Sequence, residues 1–297
     1  MIFREIKELI SYHSKYGKRF AEHDRRNVFE KAIKDINSVG LATIEDKRIL
    51  DLGCGQRFTF ALQCAIEGAN VTALDLDYIK PDILPLFFLR IVKYNGLKRA
   101  CKSILRKLLF DKHYYNALES TSGKSLRHHR SRLTFVIADP HAENYPLPSE
   151  SFDLVFSNAV VEHVENVFHF AREVCRLLSR GGYFYSIIHN FYSLSGGHNL
   201  EWAYPDENPS KKVPPWDHLR ENQFPSWTHL NRLLPEEYQE AFDEQLEILL
   251  FNGRDINHDP YGFEGEQFLT PEVVAELDGY PRELLLTRSW CIICRKN

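Results

Sequence analysis

The sequence predicts an α/β protein in which parallel strands alternate with helices. The first observation is a series of short apolar stretches of strand length, at 48–52, 71–74, 133–138, 152–157 and 183–188. The second is that two stretches with helical spacing, 58–67 and 161–178, lie between them and end next to glycines, Gly68 and Gly181-Gly182. Such alternation implies βαβ units and an open sheet that helices cover.

The two ends of the chain predict further elements of the same domain. Apolar side chains recur at helical spacing in residues 2–37, which predicts two helices, and residues 1–46 are expected to form an N-terminal helical cap. Two candidate final strands and a short helix between them lie at 246–251, 289–294 and 271–277. We therefore expect one domain over 1–297.

Composition excludes several classes of protein. A chain of 297 residues with 43% hydrophobic side chains is large enough to bury a sizeable core. Its longest apolar run, 83–91, is broken by Pro85 and Arg90 and is shorter than the roughly 20 residues of a membrane helix. Charges near the N-terminus argue against a secretory signal, and the scattered cysteines predict reduced thiols. A cytoplasmic protein is expected.

The net charge of −4 hides a strongly basic segment. Residues 90–132 contain twelve Lys and Arg side chains and two acids, which leaves 25 basic and 39 acidic side chains elsewhere. Because 99–110 has the pattern of an amphipathic basic helix, a basic helical insertion is predicted over 78–132. Three interpretations remain open: a helical cover of the sheet edge, which we favour, a nucleic-acid surface, and contact with an anionic membrane or carrier.

A second insertion, 189–243, is irregular and rich in Pro, Trp, His, Asn and Gly. Irregular stretches of this length within a compact domain are usually functional or disordered, and the aromatic content argues against disorder. The segment is therefore predicted to form a lid over a substrate.

The stretch ILDLGCGQRF, 49–58, carries the main chemical signal. Gly53 and Gly55 let the backbone pass close to a ligand, and the following helix offers free N–H groups. Asp75 ends the second strand, where an acid reaches the ribose hydroxyls of a bound nucleoside. Asp139 closes the third strand. Together these residues predict a nucleoside pocket.

Four motifs in order, ILDLGCGQ, VTALDLD, IADPHAENYPLPSESFDLVFSNAVVEHV and LSRGGYF, resemble those of class I S-adenosylmethionine (SAM)-dependent methyltransferases, in particular the small-molecule group. The resemblance extends over much of 47–188. It implies SAM as the cofactor. It also implies a three-layer, Rossmann-like sheet of seven strands with the last strand antiparallel, with the helical insertion after strand two and the lid after strand five.

The resemblance also assigns roles in cofactor binding. Asp51 would orient the glycine turn and help to hold the methionine amino group. Asp75 would accept both ribose hydroxyls, Asp139 the adenine amino group, and Asn158 would lie near the methionine carboxylate or the reacting centre. The residues expected to hold the cofactor are Asp51, Gly53, Gly55, Gln56, Arg57, Asp75, Leu76, Asp139, Pro140 and Asn158.

An NAD-binding unit is the competing interpretation, since it shares the ribose acid. Its turn has a third glycine to admit a pyrophosphate, whereas this turn continues as Gln56-Arg57-Phe58. SAM contains no pyrophosphate, so the turn favours SAM. Arg57 would then hold the methionine carboxylate, or point to solvent.

Methyl transfer from a sulfonium is an in-line displacement that depends on positioning, and a hydroxyl acceptor benefits from a base. His163, after strand four, and His189, after strand five, are the candidate catalytic residues, although either could be structural. Candidate substrate contacts in the lid are His198, Trp216 and His218. No set of potential ligands has convincing metal-site spacing, so no metal is predicted.

Several features bear on the acceptor. Strand four is followed by Ala159-Val160 and not by the Pro-Pro-aromatic run of amino-directed base methyltransferases, and the chain has no Pro-Cys nucleophile. Nucleic acid is therefore an unlikely partner. We expect methylation of a hydroxyl, or an amine, on a small or medium-sized acceptor. The alternatives are a regulatory SAM-binding protein, and an enzyme that reaches RNA or a lipid-linked acceptor through 90–132. The oligomeric state stays open.

Overall fold

The computed structural model describes residues 19–75, 88–106, 111–125, 130–139, 144–226 and 228–297. Its strands are β1 Arg48–Leu52, β2 Asn70–Asp75, β3 Leu133–Ile137, β4 Phe152–Asn158, β5 Leu178–His189, β6 Glu247–Arg254 and β7 Ser289–Arg295. Its α-helices are α1 Lys31–Ser38, α2 Thr59–Ile66, α3 Phe88–Arg106, α4 Lys112–Ser122, α5 Val167–Leu177, α6 Pro235–Asp243, α7 Pro271–Glu276 and α8 Arg282–Leu286.

The seven strands form one sheet in the order β3-β2-β1-β4-β5-β7-β6. β1 pairs in parallel with β2, and β2 with β3. β7 runs antiparallel to both β5 and β6. The predicted seven-stranded α/β fold with an antiparallel last strand is confirmed. Across the described residues, no helix is long and apolar enough to cross a membrane.

Two compact units divide the chain: 1–146 with 152–154, and 147–151 with 155–297. In the first unit β1 and α2 supply much of the core, and every residue of α2 from Phe60 to Ile66 is buried. Phe58 precedes this helix in a left-handed conformation, with φ +52°. Its ring lies edge-on to Phe135 at 5.5 Å between centroids. The helix ends as predicted at Gly68, which has φ +94° and donates its N–H to the Ala65 carbonyl.

The basic insertion differs in detail from its prediction. Within the described residues, the helix expected at 99–110 is part of α3, which is kinked at Gly96 where φ is +73°; residues 107–110 lie outside the described residues. A separate helix, α4, follows. Near the N-terminus a π-helical stretch, Asp24–Glu30, leads into α1. The part of the predicted N-terminal helices before residue 19 lies outside the described residues.

In the second unit the predicted helix over 161–178 is wrong at both ends. A short 3-10 turn, Val161–His163, is followed by a break, and α5 begins only after Asn166, whose side chain accepts the His169 N–H at 2.9 Å. This side-chain cap starts the helix late. β5 already begins at Leu178, so Gly181-Gly182 lie within the strand and do not close the helix; the Gly181 N–H donates to the Lys296 carbonyl at 2.8 Å.

The irregular insertion has a packed interior of its own. Its buried apolar side chains form one cluster with those of α7 and α8: Leu194, Trp202, Val213, Trp216, Val273, Leu277, Leu285 and Leu286. The predicted pair of final strands is present, with α7 between them where a short helix was expected. Cys291 and Cys294 are buried free thiols of β7. The insertion is thus anchored by hydrophobic packing despite its lack of regular structure.

Candidate functional site

The glycine turn follows β1 in the first unit. Gly53 and Gly55 have φ of +75° and +62°, values that favour glycine. The N–H groups of Gly53 and Cys54 both donate to the Leu74 carbonyl, at 2.8 and 3.1 Å, which ties the turn to β2. A Cβ at Gly55 would meet no atom of the described residues within 4 Å, so this glycine faces open space among them.

Asp51 joins the end of β1 to the start of α2. Its Oδ2 accepts the Ala61 N–H at 3.0 Å, and its side chain is buried. Burial raises the pKa of Asp51 to about 7; the bond from Ala61 opposes this rise, and the nearby Asp75 charge adds to it. The predicted role of Asp51 in orienting the turn agrees with this contact.

Asp75, at the end of β2, also contacts the glycine turn. As the last residue of β2 it accepts the Gly55 N–H through Oδ2 at 2.9 Å. β2 and β3 end next to each other, with Asp75 paired to Ile137, and Asp139 follows two residues later as an exposed side chain. The first unit thus places two acids at neighbouring strand ends. Asn158 is the last residue of β4, and Leu76 and Pro140 lie outside the described residues.

Arg57 and Gln56 turn towards the helical insertion. Nε of Arg57 lies 3.5 Å from Oδ1 of the buried Asp111, and its guanidinium lies 4.8 Å above the Tyr114 ring. Oε1 of Gln56 accepts from the Ser103 hydroxyl at 3.5 Å. Sequence reasoning missed these contacts, because Asp111 and Tyr114 belong to a segment whose placement local patterns do not determine.

Two basic residues of the insertion are paired with acids of the same unit. Lys124 Nζ lies 2.7 Å from a carboxylate oxygen of Glu67, and an Arg132 guanidinium nitrogen lies 3.0 Å from Asp46. Exposed pairs of this kind contribute little stability, but they hold the charged ends of Lys124 and Arg132 next to acidic side chains of the same unit. This placement favours the interpretation of the insertion as a cover.

The second unit brings three of the predicted histidines together. The His198 ring lies 5.0 Å from the His163 ring, perpendicular to it, and 4.7 Å from the His189 ring. His218 lies outside these ring contacts: its Nε2 is 2.8 Å from the Phe191 carbonyl oxygen, and burial lowers its pKa to about 4. Trp216 is 0% exposed, and its Nε1 donates to the Tyr192 carbonyl at 3.2 Å. Trp216 thus packs inside the insertion, and its predicted contact with substrate stays a prediction.

Hydrogen bonds fix the tautomers of two of these imidazoles. Nδ1 of His163 lies 2.7 Å from the His229 carbonyl oxygen, so Nδ1 carries the proton. Nε2 of His189 lies 2.9 Å from the Ser195 hydroxyl oxygen, and that hydroxyl donates to Glu264 Oε1 at 3.2 Å. Nε2 of His189 is thus the donor. Each ring keeps a lone pair on its other nitrogen.

The surroundings of His189 and His198 favour the neutral form of both rings. Burial lowers the pKa of His189 well below its usual range, and the positive charge of Arg288 lowers it further. Burial also lowers the pKa of His198 to about 4. Since neutral imidazole is the form that accepts a proton or binds a metal, both rings are in a reactive state at physiological pH.

Glu162 is the functional candidate that sequence reasoning missed. Its side chain is 1% exposed, and among the described residues neither carboxylate oxygen has a hydrogen-bond partner of ordinary geometry. Burial raises its pKa to about 8, although the backbone of His189 opposes this. One oxygen of Glu162 and one nitrogen each of His189 and His198 lie within 4.8 Å of one another. The sequence signal that could have identified Glu162 was its position next to His163, directly after strand four.

Comparison with known proteins gives a family and several similar folds. The methyltransferase domain family matches residues 22–244. The search of curated proteins gives no match. One similar structure is a SAM-dependent methyltransferase from Mesorhizobium loti, with 17% identity, coverage of 89% of this chain and 96% of that chain, and a TM-score of 0.45.

Two further structures are similar at the same level. A methyltransferase in complex with the Haloferax volcanii Trm112 activator shares 16% identity, with 97% of each chain covered and a TM-score of 0.47. Geranyl diphosphate C-methyltransferase from Streptomyces coelicolor A3(2) shares 14% identity, with 90% and 77% covered and a TM-score of 0.45.

The family match covers most of the chain, including the glycine turn, β4 and β5. Together with the strand order and the glycine turn followed by an acid at the end of β2, it identifies the cofactor class predicted from the sequence. The chain belongs to the methyltransferase domain family and is a SAM-dependent methyltransferase.

Proposed function

We propose that the enzyme transfers a methyl group to a hydroxyl, or an amine, of a small or medium-sized acceptor by in-line displacement. The observation that carries this proposal is the cluster of His163, His189 and His198 in the second unit, in which the His229 carbonyl orients the ring of His163 through Nδ1. A hydroxyl acceptor needs a group of this kind because it must lose its proton during transfer.

The residues of the first unit fit SAM. The positive φ and open space at Gly55 allow close approach of a ligand to the backbone. We assign the ribose hydroxyls to Asp75, the methionine amino group to Asp51 and the adenine amino group to Asp139. We also assign Gln56, Arg57, Leu76, Pro140 and, from the second unit, Asn158 to cofactor binding, as the family resemblance implies. Bound SAM supplies an electrophilic methyl on a sulfonium leaving group.

His163 is the better candidate for the base. Its side chain is partly exposed, and its bond to the His229 carbonyl leaves Nε2 with a lone pair. His189 is held more firmly, by Ser195 and, through it, Glu264. Its lowered pKa makes it a weak proton acceptor, so we assign it a positioning role. His198, between the two rings, is assigned to contact the acceptor, and His218 supports the lid.

The test is methyl transfer from methyl-labelled SAM to a panel of catechols, phenols, sugar alcohols and primary amines. We expect labelled O-methyl products, and we expect His163→Gln to lower kcat by about 10²- to 10⁴-fold with an unchanged Kd for SAM. His169→Gln, on α5, is the matched control and is expected to keep full activity. Full activity of His163→Gln would remove the base assignment, and transfer only to carbon or RNA would overturn the acceptor class.

The second candidate function, also considered from the sequence, is regulatory binding of SAM without turnover. It predicts tight SAM binding with no transfer to any acceptor, including RNA and anionic lipid. The pairing of Lys124 with Glu67 and of Arg132 with Asp46 argues against the basic insertion as the acceptor surface. Neutralising Lys102, Arg106 and Lys107 should therefore leave transfer to small acceptors intact.

A further inference from the structure

We propose that Glu162, His189 and His198 bind one divalent transition-metal ion. No metal is predicted from the sequence, because Glu162 follows β4, His189 ends β5 and His198 lies in the irregular insertion, without the short spacings of known metal motifs. The structure brings them together within one unit, and two independent observations point to a cation.

The first observation is the geometry of the three potential ligand atoms. They lie within 4.8 Å of one another, so a point exists within about 2.8 Å of all three, compared with metal–ligand distances of about 2.0–2.2 Å. Convergence on an ion would need side-chain movements of less than about 1 Å. Two imidazoles and one carboxylate are also the ligand set of several catalytic zinc sites and of non-haem iron sites.

The second observation is the buried carboxylate of Glu162, which lacks hydrogen bonds of ordinary geometry. Both of its oxygens are buried, and no donor among the described residues makes a hydrogen bond of ordinary geometry to either. A buried carboxylate without donors is strongly destabilising. Protonation would remove the charge but would leave a buried O–H group that also needs a partner. A cation between Glu162 and the imidazoles satisfies the carboxylate directly.

The surroundings of His189 have the form of a supporting shell. Arg288 donates to both carboxylate oxygens of Glu264, at 2.8 and 2.7 Å. Glu264 accepts from Ser195, and Ser195 accepts from Nε2 of His189. Metal-binding histidines commonly donate their second N–H to such a partner, which fixes ring orientation and tautomer. His189 therefore keeps Nδ1 as its ligand atom.

His198 is the most adaptable of the three ligands. Its ring contacts His163 and His189, and within the described ranges its ring nitrogens make no hydrogen bond. A ring held by packing alone is able to rotate towards an ion. Its backbone has a positive φ of +55°, which places a non-glycine residue in a strained conformation.

The donor set narrows the choice of ion. Mg²⁺ and Ca²⁺ prefer oxygen ligands, whereas imidazole suits Zn²⁺, Fe²⁺, Co²⁺ and Ni²⁺. Three protein ligands leave at least one open position, which an acceptor hydroxyl would occupy and where its pKa would fall. Only this last step rests on the proposed methyl transfer; ion binding does not.

The test uses the full chain, stripped with a chelator and titrated with Co²⁺ and Zn²⁺. We expect one ion per chain by calorimetry and elemental analysis, with visible Co²⁺ bands typical of nitrogen and oxygen ligands. Glu162→Gln and His198→Gln should each weaken binding at least about 100-fold, since changes one shell further out already cost 10- to 100-fold. Cys101→Ser, which removes an exposed thiol, and His169→Gln should bind as the wild type does.

Circular dichroism confirms folding of each variant, and the two ligand variants serve as independent tests. No bound ion in the wild type, or wild-type affinity in both ligand variants, would overturn the proposal. If the ion binds but its removal leaves methyl transfer unchanged, the site stands and its link to the acceptor falls. If no ion binds while His163→Gln still loses activity, the metal site falls and the proposed function stands.

Discussion

The glycine turn and the histidine cluster each contain a buried carboxylate, but the two carboxylates differ in their hydrogen bonds. We define the histidine cluster as Glu162, His163, His189 and His198. Burial raises the pKa of Asp51 to about 7 and that of Glu162 to about 8. Asp51, however, accepts a backbone N–H from Ala61 at 3.0 Å, whereas no donor in the described part of the chain makes a hydrogen bond of ordinary geometry to Glu162.

This difference in hydrogen bonding distinguishes an acid that stabilises the fold from an acid that is a candidate to bind a ligand. A carboxylate that receives backbone N–H groups holds a turn or helix start in place, and it is satisfied without any bound molecule. A carboxylate buried without donors destabilises the free protein unless another group neutralises it. Residues of the second kind are therefore candidates for function, and four substitutions test whether the two regions divide in this way.

The largest effect is expected at Trp216, in the packed insertion that supports the histidine cluster. Trp216→Ala should lower the free energy of unfolding by about 3–5 kcal/mol, since it leaves a cavity in a fully buried site. Trp216→Phe keeps most of the volume and should cost less. Urea denaturation measures both. Wild-type stability combined with a raised acceptor KM would instead make Trp216 a substrate contact.

The second substitution is Asp51→Asn, which tests the glycine turn through the pH dependence of stability. The pKa of Asp51 is about 7 in the folded state and about 3.9 when unfolded. The folded state thus holds the extra proton between these values, and stability falls as pH rises from about 4 to about 7. Asp51 contributes at most about 4 kcal/mol to this fall in the free energy of unfolding.

Asp51→Asn should remove that contribution, so that its unfolding free energy declines less steeply over this range than that of the wild type. Urea titrations at several pH values give the two slopes. Asp46→Asn, at an exposed acid, is the control and should follow the wild type. Identical slopes for all three proteins would show that Asp51 is ionised throughout.

A smaller effect is expected at Asp75. Asp75→Ala should weaken SAM and S-adenosylhomocysteine about 10- to 100-fold, because each lost bond to a charged acceptor is worth about 1.5–3 kcal/mol. Asp75→Asn should weaken them less, since its amide oxygen still accepts the Gly55 N–H. Calorimetry compares the three proteins. Unchanged affinity in Asp75→Ala would contradict the ribose assignment.

The smallest effect is expected for Arg57→Lys. The substitution keeps a positive charge near Asp111 but loses the planar stacking on Tyr114, worth about 0.5–1 kcal/mol. Thermal unfolding should show this small loss, with SAM affinity changed by no more than a few-fold. A loss of affinity above tenfold would instead show that Arg57 holds the methionine carboxylate.

The parts of the fold that depend on local signals were predictable. Apolar strand-length runs, the glycines at 53, 55 and 68, and the acids at strand ends each carry information in a few neighbouring residues. The seven-stranded sheet and the antiparallel β7 followed from the family resemblance that these motifs established. The late start of α5 depends on one side chain, Asn166, so the helical pattern that includes 161–166 was misleading.

The histidine cluster was only half visible in the sequence. His163, His189 and His198 could be named as residues that follow strands or lie in the insertion, but their contact depends on how the insertion packs. The burial of Glu162 without donors has no local signature, since an acid next to a histidine is usually exposed. The burial of Trp216 likewise depends on how the insertion packs.

The hydrogen bond from the Gly55 N–H to Asp75 affects the strength of cofactor binding. Ordering a flexible backbone residue costs about 1–2 kcal/mol of conformational entropy. The side chain assigned to the ribose already fixes the turn assigned to the methionine, so this ordering occurs when the chain folds. The cofactor then meets a preorganised pocket, and more of its interaction free energy appears as affinity.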